Sequence, residues 1–399
     1  MTRLIGPAVV VVLMLAILAV HAADWPQYLG PTANGIAPDV GINRDWNQKP
    51  PRQLWRVPMG DAGYAGPSVA DGKVFIIDHA GANDVVKAID FSNGSQVWEY
   101  TYADTGKANY GFARATPVFD DGMLYTVSRL GVVNCLNAAN GQKVWSLDMK
   151  SQFGGRGPKW DYANSVLIDG DKCILVPGGP SATVAAVNKH TGAPIWKGGS
   201  GEIGGYSTPT KATLDGREQY VVFTEGHVIG VDVSSGQLLW KYPWKTNYDV
   251  NAATPIVGAP YVFITSNYGV GCALLQVASG KATQAWMNKA IQSHFNSPIF
   301  YKGCLWGISG NLVCMDSRTG NTLWQQGGFE KGGLVGVDGC IIAVNGGDGD
   351  VVLCDAEPTG YRERGRIKPL GGQSWTAPIV ADGKLIIRNK EALACLDLM

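Results

Sequence analysis

Neither sign of charge dominates this chain. Its 399 residues carry 33 Lys and Arg against 33 Asp and Glu, so no broad basic field is available to hold nucleic acid or an anionic membrane. Helix-forming stretches of Ala, Glu, Lys and Leu are scarce. No CxxC and no vicinal cysteine pair occurs, which removes the usual redox signature. No HExxH, GxSxG or P-loop pattern is present. "GVGC" at 269–272 lacks the third glycine and the strand-to-helix context of a dinucleotide fingerprint. Histidine is sparse at five, among them His79 and His190. What the chain does have is glycine, 53 of them, with frequent valine and tryptophan. That composition favours many short strands joined by tight turns.

The first residues form a separate object. Arg3 precedes an apolar run from about Ile5 to Val20, and Val20-His21-Ala22 offers small residues at a cleavage point. Residues 1–22 therefore read as a secretory signal peptide, with an uncleaved anchor as the competing reading. No cysteine follows the run, which argues against a lipid anchor. An exported chain of periplasmic or extracellular location is expected, with no membrane span after cleavage. Eight cysteines in such a chain suggest disulfides, but the repeat described next places half of them in one column of mostly small residues. Packing as small buried thiols is the expected role.

The phrase "AIDFSNGSQVW" at 88–98 returns as "CLNAANGQKVW" at 135, "AVNKHTGAPIW" at 186, "GVDVSSGQLLW" at 230 and "CMDSRTGNTLW" at 314. Its turn glycines are Gly94, Gly141, Gly192, Gly236, Gly280, Gly320 and Gly360, spaced by 40 to 51 residues. Trp98, Trp145, Trp196, Trp240 and Trp324 follow four residues later. Trp286 arrives two residues late, and Arg364 takes the seventh place. A second phrase, such as "TPVFDDGMLY" at 116 or "APIVADGKLI" at 377, precedes each copy and occurs eight times. Each unit reads as four strands, with Asp-Gly suited to a two-residue hairpin. The eighth unit stops after its third strand. Residues 53–58, "QLWRVP" with Trp55, supply the missing fourth. The expected fold is thus an all-β, eight-bladed β-propeller over 53–399, preceded by an N-terminal arm at 23–52. Pairing of strand 53–58 with the last blade closes the ring.

The column "A-x-D-x-x-[ST]-G-x-x-x-W" resembles the tryptophan-docking repeat of quinoprotein-type propellers, the PQQ-like repeat family. That group includes the pyrroloquinoline-quinone alcohol and glucose dehydrogenases and the non-enzymatic, BamB-like propellers of β-barrel assembly. "WPQYLGP" at 25–31, "GYSTP" at 205–209 and "WTAPIVADGKLIIR" at 375–388 are similar to exported, planctomycete-type PQQ-like propellers. The resemblance implies that the tryptophans pack between neighbouring blades. It is specific for fold and weak for function.

Individuality is expected where the copies disagree. Three residues before the proline column stand Tyr64, Arg114, Tyr162, Tyr206, Ala252, Phe295, Lys331 and Trp375. In a propeller these ring the channel mouth, where aromatics and cations can stack a flat anion or grip a peptide. Plugging of the channel by the same side chains is the bland alternative. The longest entering loops are 102–114 and 150–162; the second, rich in Gly and Arg and carrying Trp160, is a candidate to cover the mouth, with an ordinary glycine-rich surface connection as the alternative. "NGGDGD" at 345–350 hints at a calcium loop, but its aligned copies are plain hairpins, so Asp348 and Asp350 are expected to be hairpin residues. The basic run "YRERGR" at 361–366 falls where a fourth strand belongs.

The leading expectation is a non-catalytic exported scaffold that binds a protein or small ligand at the mouth, with no cofactor and no metal. A quinone-dependent dehydrogenase is the alternative. For that activity the resemblance implies pyrroloquinoline quinone with calcium, a stacking Trp375 or Trp160, and Arg114 or Lys331 against the quinone carboxylates. Asp161 and Asp249 are then the nearest acids. A carbohydrate- or polymer-binding propeller is a third reading.

Overall fold

A computed structural model describes residues 24–60, 62–108 and 110–399. The expected signal segment lies outside these residues. Eight sheets, each built on four antiparallel strands, follow one another along the chain. Blades 1 to 7 span 68–103, 118–148, 167–198, 210–243, 256–288, 299–329 and 334–367. Blade 8 takes three strands from 379–397 and its outermost from Arg52–Pro58, which pairs antiparallel with Ala392–Asp397. The N-terminal strand closes the ring as its sequence requires. Among the described residues no helix is long and apolar enough to cross a membrane.

The repeat phrase becomes a packing device. In blade 1 Trp98 lies directly opposite Ala88, and the ladder bulges at the next residue. The same register sets Trp145 opposite Cys135, Trp240 opposite Gly230, and Trp324 opposite Cys314. The column is small because an indole lies across it: a Cβ on Gly230 would come within 2.2 Å of Trp240 Nε1. Several indoles also reach the following blade, whereas Trp240 Nε1 donates within its own blade to Gln219 Oε1. Trp55 Nε1 donates to Phe91 O at 3.0 Å, Trp98 to Ala138 O at 3.0 Å and Trp145 to Lys189 O at 2.8 Å. At Gly94, Gly141, Gly192, Gly236 and Gly320 the turn glycine of the next blade lies under the preceding blade's ring, while Gly280 and Gly360 are open. Gly141 has φ 74°, and a Cβ there would approach Trp98 to 2.6 Å. The covered glycines satisfy a left-handed backbone and a close approach at once. All eight cysteines are buried and unpaired.

Blade 7 departs from the expected register. Its turn from Asp355 to Gly360 is one residue longer than those of blades 1 to 4 and 6, and Leu353 pairs with Gly365, so the column shifts off Cys354 and Arg364. Arg364 instead holds Asp355 at 2.7 and 2.9 Å. Trp46 of the arm packs over Gly365, where a Cβ would come within 2.5 Å of Trp46 Cβ. The arm thus brings an indole, 2% exposed, to the one blade without its own.

The arm also crosses the channel base. Trp25 bridges Val69 in the innermost strand of blade 1, and Pro26 O accepts from Phe119 N of blade 2. Tyr28 Oη lies 3.1 Å from Ser297 Oγ at the entry to blade 6. Ile36–Ala37 then pairs in parallel with Gly336–Val337, adding a fifth strand to blade 7. Beyond it Arg44 pairs with Asp338 at 2.8 Å, and Asp39 accepts from Gly383 N at 2.6 Å. Both contacts are to first-hairpin turns, on the face away from the long loops.

Candidate functional site

The first strand of each sheet faces the axis, and the residues entering it set the mouth. Tyr64, Arg114, Tyr206, Ala252, Phe295, Lys331 and Trp375 line one cavity of about 330 Å³, joined by Trp160. Trp25, Tyr28, Leu29 and Gly35 of the arm line it from below. The ring side chains leave the channel open; the arm shuts its base.

Tyr162 does not belong to this ring. It is 2% exposed in the interior shared by blades 2 and 3, and its Oη donates to Pro177 O at 2.7 Å. The expected register took Asp169-Gly170 for the usual Asp-Gly hairpin. In the fold Asp169 still pairs with Lys172, and the turn is Gly170-Asp171, with φ 58° at Gly170. Glycine first is the second way to make a two-residue hairpin. The one-residue slip turns Tyr162 inward and brings Ala163 to the cavity. Hydroxyls mark the corrected register. Thr116 N donates to Ser165 Oγ at 3.0 Å, Ser165 N to Thr208 Oγ1 at 3.1 Å, and Thr254 N to Ser297 Oγ at 2.7 Å. Each bond ties one inner strand to the next blade's.

On the side of blades 6 to 8 and 1 the wall is aromatic. Tyr64 stacks on Trp375 with centroids 5.0 Å apart and planes 26° apart, and Phe295 meets Trp375 at 4.9 Å. Lys331 Nζ lies 5.0 Å from the Trp375 ring and 5.8 Å from Phe295, a cation held over π faces rather than against a carboxylate. His294 stacks on Phe295 at 3.9 Å, and its Nε2 is 2.7 Å from Tyr268 Oη. Burial first, then the Lys331 charge, pushes this imidazole down to about 4, so it is neutral near pH 7. Its Nδ1 has no partner among the described residues.

On the side of blades 2 to 4 the wall comes from the two long loops. Tyr110 meets Trp160 edge-on at 5.5 Å, and Trp160 N donates to Tyr206 Oη at 3.1 Å. Arg114 Nη2 is 3.4 Å from Gly111 O and 3.7 Å from Asp161 Oδ2. Asp161 is held more tightly by Arg129, at 3.1 Å. Neither Asp161 nor Asp249 is among the residues lining the cavity, and no other Asp or Glu among the described residues lines it.

Sequence reasoning missed Tyr28, Tyr110, Tyr268, His294 and Arg129. Tyr110 carried a signal in its long loop; the others sit in the arm, in hairpins or one residue off the aligned column. Two further clusters resolve without a site. Asp348 and Asp350 pair with Lys368 at 2.9 and 3.0 Å, and Asp350 with Arg366 at 3.0 Å. His79, Asp84 and Asp104 place three donor atoms within 4.8 Å of one another. Both His79 nitrogens are engaged, Nδ1 with Asp84 Oδ1 at 3.0 Å and Nε2 with Gly81 O at 2.9 Å. Both ring nitrogens are thus already in hydrogen bonds, and a metal would have to displace one of them.

The closed ring, its tryptophan-on-glycine packing and the axial funnel define a quinoprotein-type eight-bladed propeller. Within that class, residues 82–326 match the family described as outer membrane protein assembly factor BamB, and the chain belongs to this family. BamB of Burkholderia pseudomallei (strain K96243) is 26% identical over 287 residues, covering 61% of this chain and 70% of that protein. A quinoprotein ethanol dehydrogenase of Pseudomonas aeruginosa is also 26% identical, but over 161 residues, 37% of this chain and 25% of the enzyme. The crystal structure of BamB from Moraxella catarrhalis superposes with a TM-score of 0.63 at 17% identity, over 87% of this chain and 97% of that one. That structural likeness speaks to the fold.

Proposed function

We propose that this chain is an exported, non-catalytic binding propeller that takes a flat anionic group, free or carried on a protein, into the aromatic funnel. One observation carries the reading: the cavity presents stacked rings and two cations, Lys331 and Arg114, with no carboxylate among the described residues that line it. Rings offer faces and the cations offer charge. The match to assembly factors supports a scaffold role, and the partner in that role is a protein.

The quinoprotein reading rests on the ethanol dehydrogenase match and on the stacked Tyr64–Trp375 pair. Calcium seeks six to eight oxygens, carboxylates among them, and the lining supplies hydroxyls of Thr116, Ser165, Thr208 and Thr376 instead. These residues do not fit a calcium–quinone centre.

The test has two arms. Anilinonaphthalene sulfonate, a flat aromatic anion, is titrated against the purified protein. Saturable fluorescence enhancement is expected, weakened at least tenfold in Lys331→Met and in Arg114→Met. Separately, calcium, pyrroloquinoline quinone, alcohols or sugars, and a redox dye are added; no dye reduction is expected. Turnover would overturn the non-catalytic reading, and probe binding indifferent to both cations would overturn the funnel.

A further inference from the structure

The two long loops that build one wall of the funnel meet at a residue that never touches the cavity. Arg129 lies in the hairpin between the second and third strands of blade 2, and its side chain is 3% exposed. Its Nη2 donates to Asp104 Oδ1 at 2.6 Å, at the start of the first loop. Its Nη1 donates to Asp161 Oδ2 at 3.1 Å, at the end of the second. The guanidinium carbon stands 5.5 Å from the ring of Phe112, late in the first loop. Phe112 in turn stacks on His79 at 3.4 Å. The Arg129 carbonyl accepts from Tyr162 N at 3.0 Å. One residue therefore grips the first loop at two points and the second at two more.

We infer that Arg129 is the positioning residue of the funnel, holding Tyr110 and Arg114 of one loop and Trp160 of the other in the geometry that receives the ligand. This rests on the funnel being the binding site. The inference follows from the shape of the guanidinium. Its planar fork reaches two carboxylates at once, whereas an ammonium is a point charge. Asp104 is fully buried, so its charge has to be met by a partner that is itself fixed. Asp161 is shared, 3.1 Å from Arg129 and 3.7 Å from Arg114. Arg129 thereby keeps Asp161 from closing fully on Arg114, which leaves the Arg114 charge available to an incoming anion. Asp161 has φ 68°, a left-handed backbone that aspartate tolerates in turns.

The test uses the full chain and two independent readouts: anilinonaphthalene sulfonate titration, and limited proteolysis with cleavage sites mapped by mass spectrometry. In Arg129→Met, probe affinity is expected to fall at least tenfold, and new cleavage is expected within both 102–114 and 150–162. In Arg129→Lys, one loop is expected to stay protected while the other is cut, with intermediate affinity. A purely structural role would lower the melting temperature without this division between the loops. Asp161→Asn supplies a milder variant should Arg129→Met fail to fold; it is expected to free 150–162 alone. Both loops resisting protease in Arg129→Met, with affinity within twofold of wild type, would overturn the inference. If wild-type protein binds no probe, the funnel reading fails, and the proteolysis alone judges the clasp: protected loops in Arg129→Met sink it.

Discussion

Gly141 and Gly122 have nearly the same backbone, φ 74° and 72°, and different surroundings. A Cβ on Gly141 meets the Trp98 indole at 2.6 Å; one on Gly122 meets nothing within 4 Å. Gly122→Ala is expected to cost about 1 kcal/mol, the left-handed strain alone. Gly141→Ala adds overpacking, for about 2–4 kcal/mol in total. Urea unfolding of both variants checks the difference. The thiols give a second measurement. Burial pushes Cys135 and Cys395 up to about 12 and Cys272 to about 11, so native protein is expected to react with none of its eight cysteines over minutes and with all of them in denaturant. His294 gives a third. The unfolded imidazole protonates near 6.5 and the folded one near 4, so between these values the unfolded chain holds the extra proton and acid favours unfolding. Melting temperatures followed from pH 7 to 4 are expected to show wild type losing stability relative to His294→Gln. At this scale the sequence was most readable where residues recur. The indole, the turn glycine and the small column are visible because several copies agree. Tyr162 was misplaced because Asp169-Gly170 looks like its aligned turns and folds as another.

At the scale of elements, strands and hairpins were legible and the arm was not. A blade is written eight times, so each copy corrects the reading of the rest. Residues 24–51 are written once, and no internal alignment can say that they lie under the channel. Their composition held the clue: Trp25, Trp46 and Ile42 are all buried, more apolar surface than a solvated linker needs. Trp46→Ala is expected to destabilise the fold by about 3–5 kcal/mol and to expose the segment around Asn43 and Lys49 to protease. Denaturant titration and peptide mapping measure the two effects. The same closure of the base makes entry and exit at the mouth a single path. A ligand is expected to be blocked by anything that covers the long-loop face and unaffected by modification of the turn face.

The whole molecule is joined at one seam. Arg52 pairs with Asp397 and Pro58 with Ala392, partners about 340 residues apart in the chain. Contacts of that separation are expected to form late in folding. Trp55 sits on the seam, 6% exposed, its indole N–H bonded to Phe91 O. Stopped-flow unfolding of Trp55→Ala is expected to be at least tenfold faster than wild type, with the refolding limb little changed, because stabilisation lost after the transition state shows in the unfolding rate. The seam has a consequence for synthesis. The strand that closes the ring leaves the ribosome early and waits, edge unpaired, through seven blades, until residues 392–397 emerge. Any product stopped short of them presents two open edges. Residues 392–397 thus act as a test of length, since an intact circle certifies that every blade between the two paired strands has been made.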